Sequence, residues 1–288
     1  MIINAENVNT DIEKREGDFF KTRFHVFGDV TGVLIINASD DPANRRYINT
    51  KSKMIDKYGC RCFVKTFNAE VTTEEIKEYI QNVQGGFTAV MVQKPIYNHL
   101  DFEDIMSVVD PKKDIDGLHP YNQGLVYTRH EDALVPCTAV GVIKLLDLHD
   151  ISMTNKKVVI IGRGPLVADP LSKLLEYRNA TVTKIHTRTS PEYTKMLIKH
   201  ADVIISCVGK DISDMLNPNT VGDNLEALIG VGFRYEFDRQ MQDFKVSDNW
   251  NDNVKITSNI RATGLATVCG LINNLLQIKK NEVYYDRG

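Results

Sequence analysis

Several things are scarce in this 288-residue sequence, and each scarcity narrows its function. No apolar run reaches the roughly 18 residues that cross a bilayer, so no membrane span is expected. There is no long basic block, and 35 Lys and Arg against 38 Asp and Glu leave a formal charge of −3. Attraction to nucleic acid or to an anionic membrane therefore has no electrostatic basis. The first residues, Met1 to Arg15, carry charge where a secretory signal needs an apolar core. Cysteines are few and odd in number: Cys60, Cys62, Cys137, Cys207 and Cys269. Cys60 and Cys62 have no second cluster at metal-ligand spacing, which argues against a zinc site. Reduced, mostly buried thiols in a reducing compartment are expected, and with them a cytoplasmic location.

What is present is the usage of an ordinary globular protein, with 42% hydrophobic and 25% charged residues. The length suffices for two cores. Apolar, β-branched runs at Gly32 to Asn37, Ala89 to Val92, Val158 to Gly162, Ala180 to His186 and Asp202 to Gly209 read as buried strands. Amphipathic stretches between them imply βαβ units and a mainly parallel α/β architecture. The segment Asp110 to Leu134, crowded with Pro, Gly, Asp and Asn, reads as a long loop or crossing segment. A domain boundary is placed just after it. Val140 to His149 then reads as a linking helix and Leu265 to Ile278 as a last amphipathic helix.

Ser39-Asp40-Asp41-Pro42 supplies capping side chains followed by a proline suited to a first helical turn. From it an apolar stripe runs through Ala43, Tyr47, Met54, Ile55 and Tyr58, with Gly59 as the stop. Lys51 falls on that stripe. An inward lysine costs free energy unless its amine is paired or its pKa is lowered. The plainer reading is that Lys51 snorkels along the helix to solvent. Two further polar residues give it company: Gln93 at the end of an apolar strand, and Asp116 in the turn-rich Lys113-Asp114-Ile115-Asp116-Gly117-Leu118-His119-Pro120. Carboxyl ends of parallel strands are where ligands bind. Singly, Gln93 reads as a strand-terminal amide and Asp116 as an Asp-Gly turn former.

In the second half, Val158-Val159-Ile160-Ile161-Gly162-Arg163-Gly164-Pro165-Leu166-Val167-Ala168 is a strand, a glycine turn and a helix start. Such a turn brings backbone N–H groups to a pyrophosphate. A strict Gly-x-Gly-x-x-Gly would need glycine at 167, where Val167 stands. After the next strand, a carboxylate usually meets the adenosine ribose; here the residues are His186-Thr187-Arg188-Thr189. Two guanidinium groups, Arg163 and Arg188, with hydroxyls such as Thr187, suit a 2′-phosphate, so NADP is favoured, with NAD possible. The alternative is that Arg188 is a solvated loop residue. Gly209 and Gly232-Phe233, each after an apolar strand, would line the nicotinamide end.

Together these segments resemble the methylenetetrahydrofolate dehydrogenase/cyclohydrolase family over most of the chain and in the same order. The resemblance rests on Asp40-Asp41-Pro42-Ala43 with Tyr47-x-x-x-Lys51, on Val92-Gln93-x-Pro95, and on Lys113-Asp114-Ile115-Asp116-Gly117-x-His119-Pro120-x-Asn122. Pro136-Cys137-Thr138 and the cofactor turn Gly162-Arg163-Gly164-x-x-Val167-x-x-Pro170 complete it. It implies an N-terminal α/β folate domain, residues 1–140 with 265–288, and a Rossmann-type dinucleotide domain, residues 141–264. The final helix would return to the first domain, and the protein would be a homodimer. It further implies Lys51 as the cyclohydrolase lysine, Tyr47 as its folate-contacting neighbour, Gln93 as the amide tuning Lys51 and Asp116 as the carboxylate holding the pterin. The sequence departs from the family where Pro-Gly-Gly-Val-Gly-Pro-Met-Thr becomes Ile260-Arg261-Ala262-Thr263-Gly264-Leu265-Ala266-Thr267. Ala139 stands for a proline and Gly230 for an aspartate.

The implied activity is oxidation of 5,10-methylenetetrahydrofolate and hydrolysis of the methenyl product to 10-formyltetrahydrofolate. Hydride loss from a carbon between two nitrogens needs mainly orientation. Hydrolysis needs a general acid/base, and a Lys51 amine of depressed pKa beside Tyr47 would supply it. Two alternatives remain: a dehydrogenase without hydrolytic activity, and a non-catalytic folate- and dinucleotide-binding protein.

Overall fold

The computed structural model describes residues 2–3, 32–57, 60–236, 239–246, 249–257 and 260–285. Two compact units emerge, one containing residues 15–137 and 270–288, the other 1–14 and 138–269. Strands and helices are numbered along the chain, starting from the short strand β1 (Ile2–Ile3).

The first unit is built on a three-stranded parallel sheet in the order β3-β2-β4, with β2 at Val33–Asn37, β3 at Cys62–Thr66 and β4 at Ala89–Gln93. Every residue of β2 and β4 is buried, as expected of parallel strands covered on both faces. Helix α1 (Pro42–Lys57) joins β2 to β3, and α2 (Thr73–Val83) joins β3 to β4. The start of α1 is capped as the sequence suggests: Asp41 Oδ1 accepts from Ala43 N at 2.8 Å and Ser39 Oγ from Asp41 N at 3.2 Å. The buried line on α1 is Asn44, Ile48, Lys51 and Ile55. Ala43, Tyr47 and Met54 sit at its margin, half-buried; Tyr58 and Gly59 lie outside the described residues. The line was displaced in the sequence reading because one of its members, Asn44, is polar.

Beyond β4 come α3 (Phe102–Ser107) and α4 (Pro120–Tyr127). The Asp110 to Leu134 segment is thus not one long loop. His119 and Pro120 start a helix inside it, with His119 Nδ1 accepting from Tyr121 N at 3.0 Å. The core of this unit includes Val33, Ile35, Ala89, Met91 and Ile115 with Leu271, Ile272 and Leu275 from the C-terminal helix.

The second unit holds a six-stranded parallel sheet in the order β1-β11-β8-β7-β5-β6. Its strands are β5 (Lys157–Ile161), β6 (Thr181–Ile185), β7 (Val203–Ser206), β8 (Ala227–Gly230) and β11 (Lys255–Thr257). Residues 2–3 pair here, with Ile256 and Thr257. Successive side chains of a strand face opposite ways: Val158, Ile160, Val203, Ile205, Ala227 and Ile229 enter one core, and Val159, Ile161, Ile204 and Leu228 the other. Helices α5 (Cys137–Leu148), α6 (Ala168–Glu176) and α7 (Pro191–His200) accompany the sheet, and β9 (Phe233–Glu236) and β10 (Arg239–Gln242) form an antiparallel pair.

The last helix, α8 (Ile260–Tyr285), begins five residues before the expected Leu265. The altered segment explains this: without the family's prolines and with Gly264 alone, nothing breaks the helix. Its residues to Cys269 belong to the second unit and those from Gly270 to the first.

Candidate functional site

In the first unit, Met91 and Gln93 are two residues apart on β4, so both side chains take the same face of the sheet. Lys51 comes to that face. Its Nζ donates to Gln93 Oε1 at 2.9 Å, approaches Met91 Sδ at 3.3 Å, and lies 3.7 Å from Asp116 Oδ2 and 4.6 Å from the centre of the Tyr47 ring. Lys51 is only 2% exposed and the Asp116 side chain 15%. The snorkelling alternative is therefore excluded, and Lys51, Tyr47, Gln93 and Asp116 are brought together.

The protonation state differs from expectation. Burial pulls the Lys51 pKa down, but the opposing charge around it, that of the Asp116 carboxylate foremost, outweighs burial, and the net value is raised above the ordinary lysine value of 10.5. In this arrangement Lys51 is an ammonium paired with a carboxylate.

Three neighbours were given no part in the site by the sequence. Met91 packs directly on the amine. Cys137 is buried, and its Sγ donates to Ile115 O at 3.2 Å; burial first, and then Asp116, push its thiol far up, so it stays neutral. Asn274 on α8 donates from Nδ2 to Ile115 O at 2.9 Å and to Val135 O at 2.8 Å. An amide among the apolar residues Leu271, Ile272, Leu275 and Leu276 was the available signal for Asn274.

In the second unit, β5 and β6 are neighbours and deliver Gly162, Arg163 and Gly164, and Thr187 and Arg188, to one edge of the sheet. Gly162 has φ +125°, and a β-carbon there would meet Cys207 O at 3.2 Å, so glycine is required. At Gly164 a β-carbon would have no neighbour within 4 Å, so the backbone faces open space. Helix α6 starts at Ala168 without a side-chain cap from Val167, leaving N–H groups for an anion. Arg163, Thr187 and Arg188 are exposed, and neither guanidinium has an ion-pair partner among the described residues. This donor set fits a phosphorylated dinucleotide. Gly209 (φ +65°) and Phe233 follow β7 and β8, as expected; a β-carbon on Gly209 would meet Phe233 O at 3.0 Å, and the Phe233 side chain is exposed.

Gly230 now has a structural account. A β-carbon on it would stand 2.8 Å from Gln242 Oε1 and 3.3 Å from the Phe244 ring. Gln242 also donates to Thr257 O at 3.0 Å, while Gly230 N donates to Thr257 Oγ1 at 2.8 Å and Gly230 O accepts from Thr263 Oγ1 at 2.8 Å. The glutamine side chain occupies the room that a residue-230 side chain would need.

A parallel-sheet unit with a buried lysine–amide–carboxylate cluster, joined in sequence to a dinucleotide-type unit, defines a two-domain α/β protein of the oxidoreductase kind. Residues 3–116 match the catalytic-domain model of tetrahydrofolate dehydrogenase/cyclohydrolase, and residues 136–283, over half of the chain, match the model of its NAD(P)-binding domain. The chain belongs to the tetrahydrofolate dehydrogenase/cyclohydrolase family. The bifunctional protein FolD of Prochlorococcus marinus is 36% identical over 203 residues, covering 70% of this chain and 65% of that protein. The chain is thus matched to just under two thirds of this relative's length. The bifunctional FolD structure from Campylobacter jejuni superposes with a TM-score of 0.85 at 25% identity, covering 98% of this chain and 100% of that one. The Trypanosoma brucei methylenetetrahydrofolate dehydrogenase-cyclohydrolase, solved with NADP and an inhibitor, gives 0.82 at 26% identity over 97% and 95%.

Proposed function

We propose that this protein oxidises 5,10-methylenetetrahydrofolate with NADP and hydrolyses the methenyl product to 10-formyltetrahydrofolate. The observation that carries this reading is the buried Lys51, held by Gln93 and Asp116. Folate binding is assigned to the unit of residues 15–137 and 270–288, and the dinucleotide to the unit of residues 138–269.

The dinucleotide, when bound, supplies the hydride acceptor. Orientation is the remaining requirement for oxidation: Tyr47 offers an aromatic face, and Asp116 offers a carboxylate to the N–H groups of the pterin. In the hydrolytic step water adds to the cationic methenyl carbon; one of its two protons is released, and the other moves from oxygen to N5 as the N5–carbon bond breaks and the formyl C=O forms. Lys51 is the group placed to carry that proton. With pterin N–H groups sharing the Asp116 charge, the attraction holding the ammonium weakens while burial remains, so the amine is released toward the neutral form. Gln93 Oε1 keeps Nζ in place throughout.

NADP over NAD is supported by Arg163 and Arg188, neither of which has a carboxylate partner among the described residues. Homodimer formation is supported by β3, which pairs only with β2 among the described residues and exposes Phe63 and Val64, 45% and 46% accessible. Light scattering on Phe63→Lys and Val64→Lys variants tests this, with monomers expected. A cytoplasmic location suits the five free thiols.

A dehydrogenase without hydrolytic activity is the second reading, favoured by the ion pair that keeps Lys51 protonated. One experiment separates the two. Methenyltetrahydrofolate absorbance is followed first for its formation with NADP and then for its decay, in the wild type and in Lys51→Met. The bifunctional reading expects the variant to lose the decay and keep much of the formation. Equal loss of both in a folded variant contradicts the role of Lys51, and absence of enzymatic decay in the wild type leaves the dehydrogenase alone.

A further inference from the structure

Asp114, two residues before Asp116, is a carboxylate that the chemistry above does not use. It is almost completely buried at 1% exposure. Its Oδ1 accepts from Gly117 N at 3.1 Å, and its Oδ2 from His119 N at 2.8 Å and from Asn122 Nδ2 at 3.0 Å. Asn122 also donates to Pro111 O at 2.8 Å. The backbone on either side is fixed to β4, with Val90 N donating to Lys113 O at 2.7 Å and Ile115 N to Val90 O at 3.1 Å. Asp116 is therefore carried at the crown of a loop whose two limbs are tied together by one carboxylate. No cation pairs with that carboxylate among the described residues.

We propose that Asp114 is a positioning residue: its ionised carboxylate closes the loop of residues 114–119 and so holds Asp116 against Lys51. This rests on the reading of Asp116 as the folate-holding carboxylate.

The donor set requires the anion. All three bonds come from N–H groups, so a protonated carboxyl would turn its own hydrogen toward a donor and lose a bond. Burial pushes the Asp114 pKa up to about 6, against the lowering effect of His119 N and Asn122. The titratable groups facing it are Asp116, whose charge adds to the rise, and the Cys137 thiol. The Cys137 thiol remains neutral, and the His119 imidazole, its pKa lowered chiefly by burial and raised in part by Asp110, caps α4 through Nδ1. The Lys113 ammonium is turned away, to Gln84 O and Phe87 O. Perturbed carboxylates of this kind concentrate at functional sites. The loop is complete above about pH 6 and loses a tie below it.

The test compares Asp114→Asn, Asn122→Ala and Asp116→Asn in both activities from about pH 5 to about pH 8, with the non-enzymatic rates subtracted. Asp114→Asn is expected to raise the KM for the folate about tenfold, the size of one lost charged hydrogen bond. It should leave the KM for NADP unchanged and abolish the acid limb near pH 6. Asn122→Ala removes a bond that favours the anion, so its acid limb should move to higher pH; this variant decides should Asp114→Asn not fold. A merely structural role would lower the yield of active protein without moving the folate KM or the limb. A folded Asp114→Asn with wild-type folate KM and acid limb, or an Asn122→Ala limb that does not move, overturns the proposal. Should Asp116→Asn be impaired while Asp114→Asn is not, the positioning role alone fails. Should Asp116→Asn leave the folate KM untouched, the underlying site fails and the proposal with it.

Discussion

Lys51 and Asp116 form an ion pair at 3.7 Å in which the cation, 2% exposed, is the more deeply buried partner. Removing the carboxylate strands the ammonium in a low-dielectric site with Gln93 Oε1, Met91 Sδ and the Tyr47 ring beside it. Asp116→Asn is therefore expected to lose about 3 kcal/mol of stability at neutral pH. Because pairing raises the folded-state pKa of Lys51, the contribution is present below the ordinary lysine value and is lost only as pH rises through the raised one. Urea unfolding of both proteins at neutral and strongly alkaline pH measures this; equal stability at neutral pH would show that the pair is energetically idle.

Arg163 and Arg188 stand on loops that follow adjacent strands, β5 and β6. If they share one phosphate, their effects depend on that phosphate and not on the rest of the dinucleotide. Changing both to alanine is expected to lower kcat/KM for NADP about a hundredfold, the size of one or two charge-assisted bonds, with NAD little affected. A ratio of NADP to NAD efficiency that stays at the wild-type value refutes the phosphate assignment.

Much of this was legible in the sequence, for identifiable reasons. Strands β2, β4, β5 and β7 are short apolar runs with turn residues at their ends, and in a parallel sheet buried on both faces that signal is strong. Lys51, Gln93 and Asp116 stood out because polar groups interrupt apolar patterns at a helix stripe, a strand end and a tight turn. What failed were inferences needing an environment rather than a pattern. The depressed amine pKa assumed an apolar surrounding, whereas Asp116, 65 residues further along the chain, supplies the opposing charge. Asp114 read as one more polar residue of a turn because three donors arriving from 117, 119 and 122 leave no mark of periodicity. Gly230 read as an unexplained departure because Gln242, which fills its space, comes from a different strand.

That last pairing is open to a direct check. With Gln242 Oε1 2.8 Å from the place of a β-carbon, Gly230→Ala overpacks a closed site and should cost about 1–3 kcal/mol. Combining it with Gln242→Ala frees the space, so the double variant should be more stable than the sum of the single changes implies. A double-mutant cycle by thermal unfolding reads the coupling. Strict additivity would mean that the two side chains do not compete for the same room, and that Gly230 is retained for some other reason.

Asp114 adds a pH dependence to stability opposite in sign to that of an ordinary paired carboxylate. Its folded-state pKa of about 6 lies above the usual 3.8, so between these values the folded protein holds a proton that the unfolded chain has released. Stability from this group is therefore fully present below about pH 4 and falls as pH rises through about 6, by an amount on the order of 3 kcal/mol. Asp114→Asn cannot titrate, and its urea midpoint should lack that descent when the two proteins are compared at intervals across this range. Equal slopes in the two proteins would show that the carboxylate is not the titrating group. A descent confined to the wild type would mean that the anion is held in place at a cost to the fold, and that the loop carrying Asp116 is shaped for the site rather than for stability.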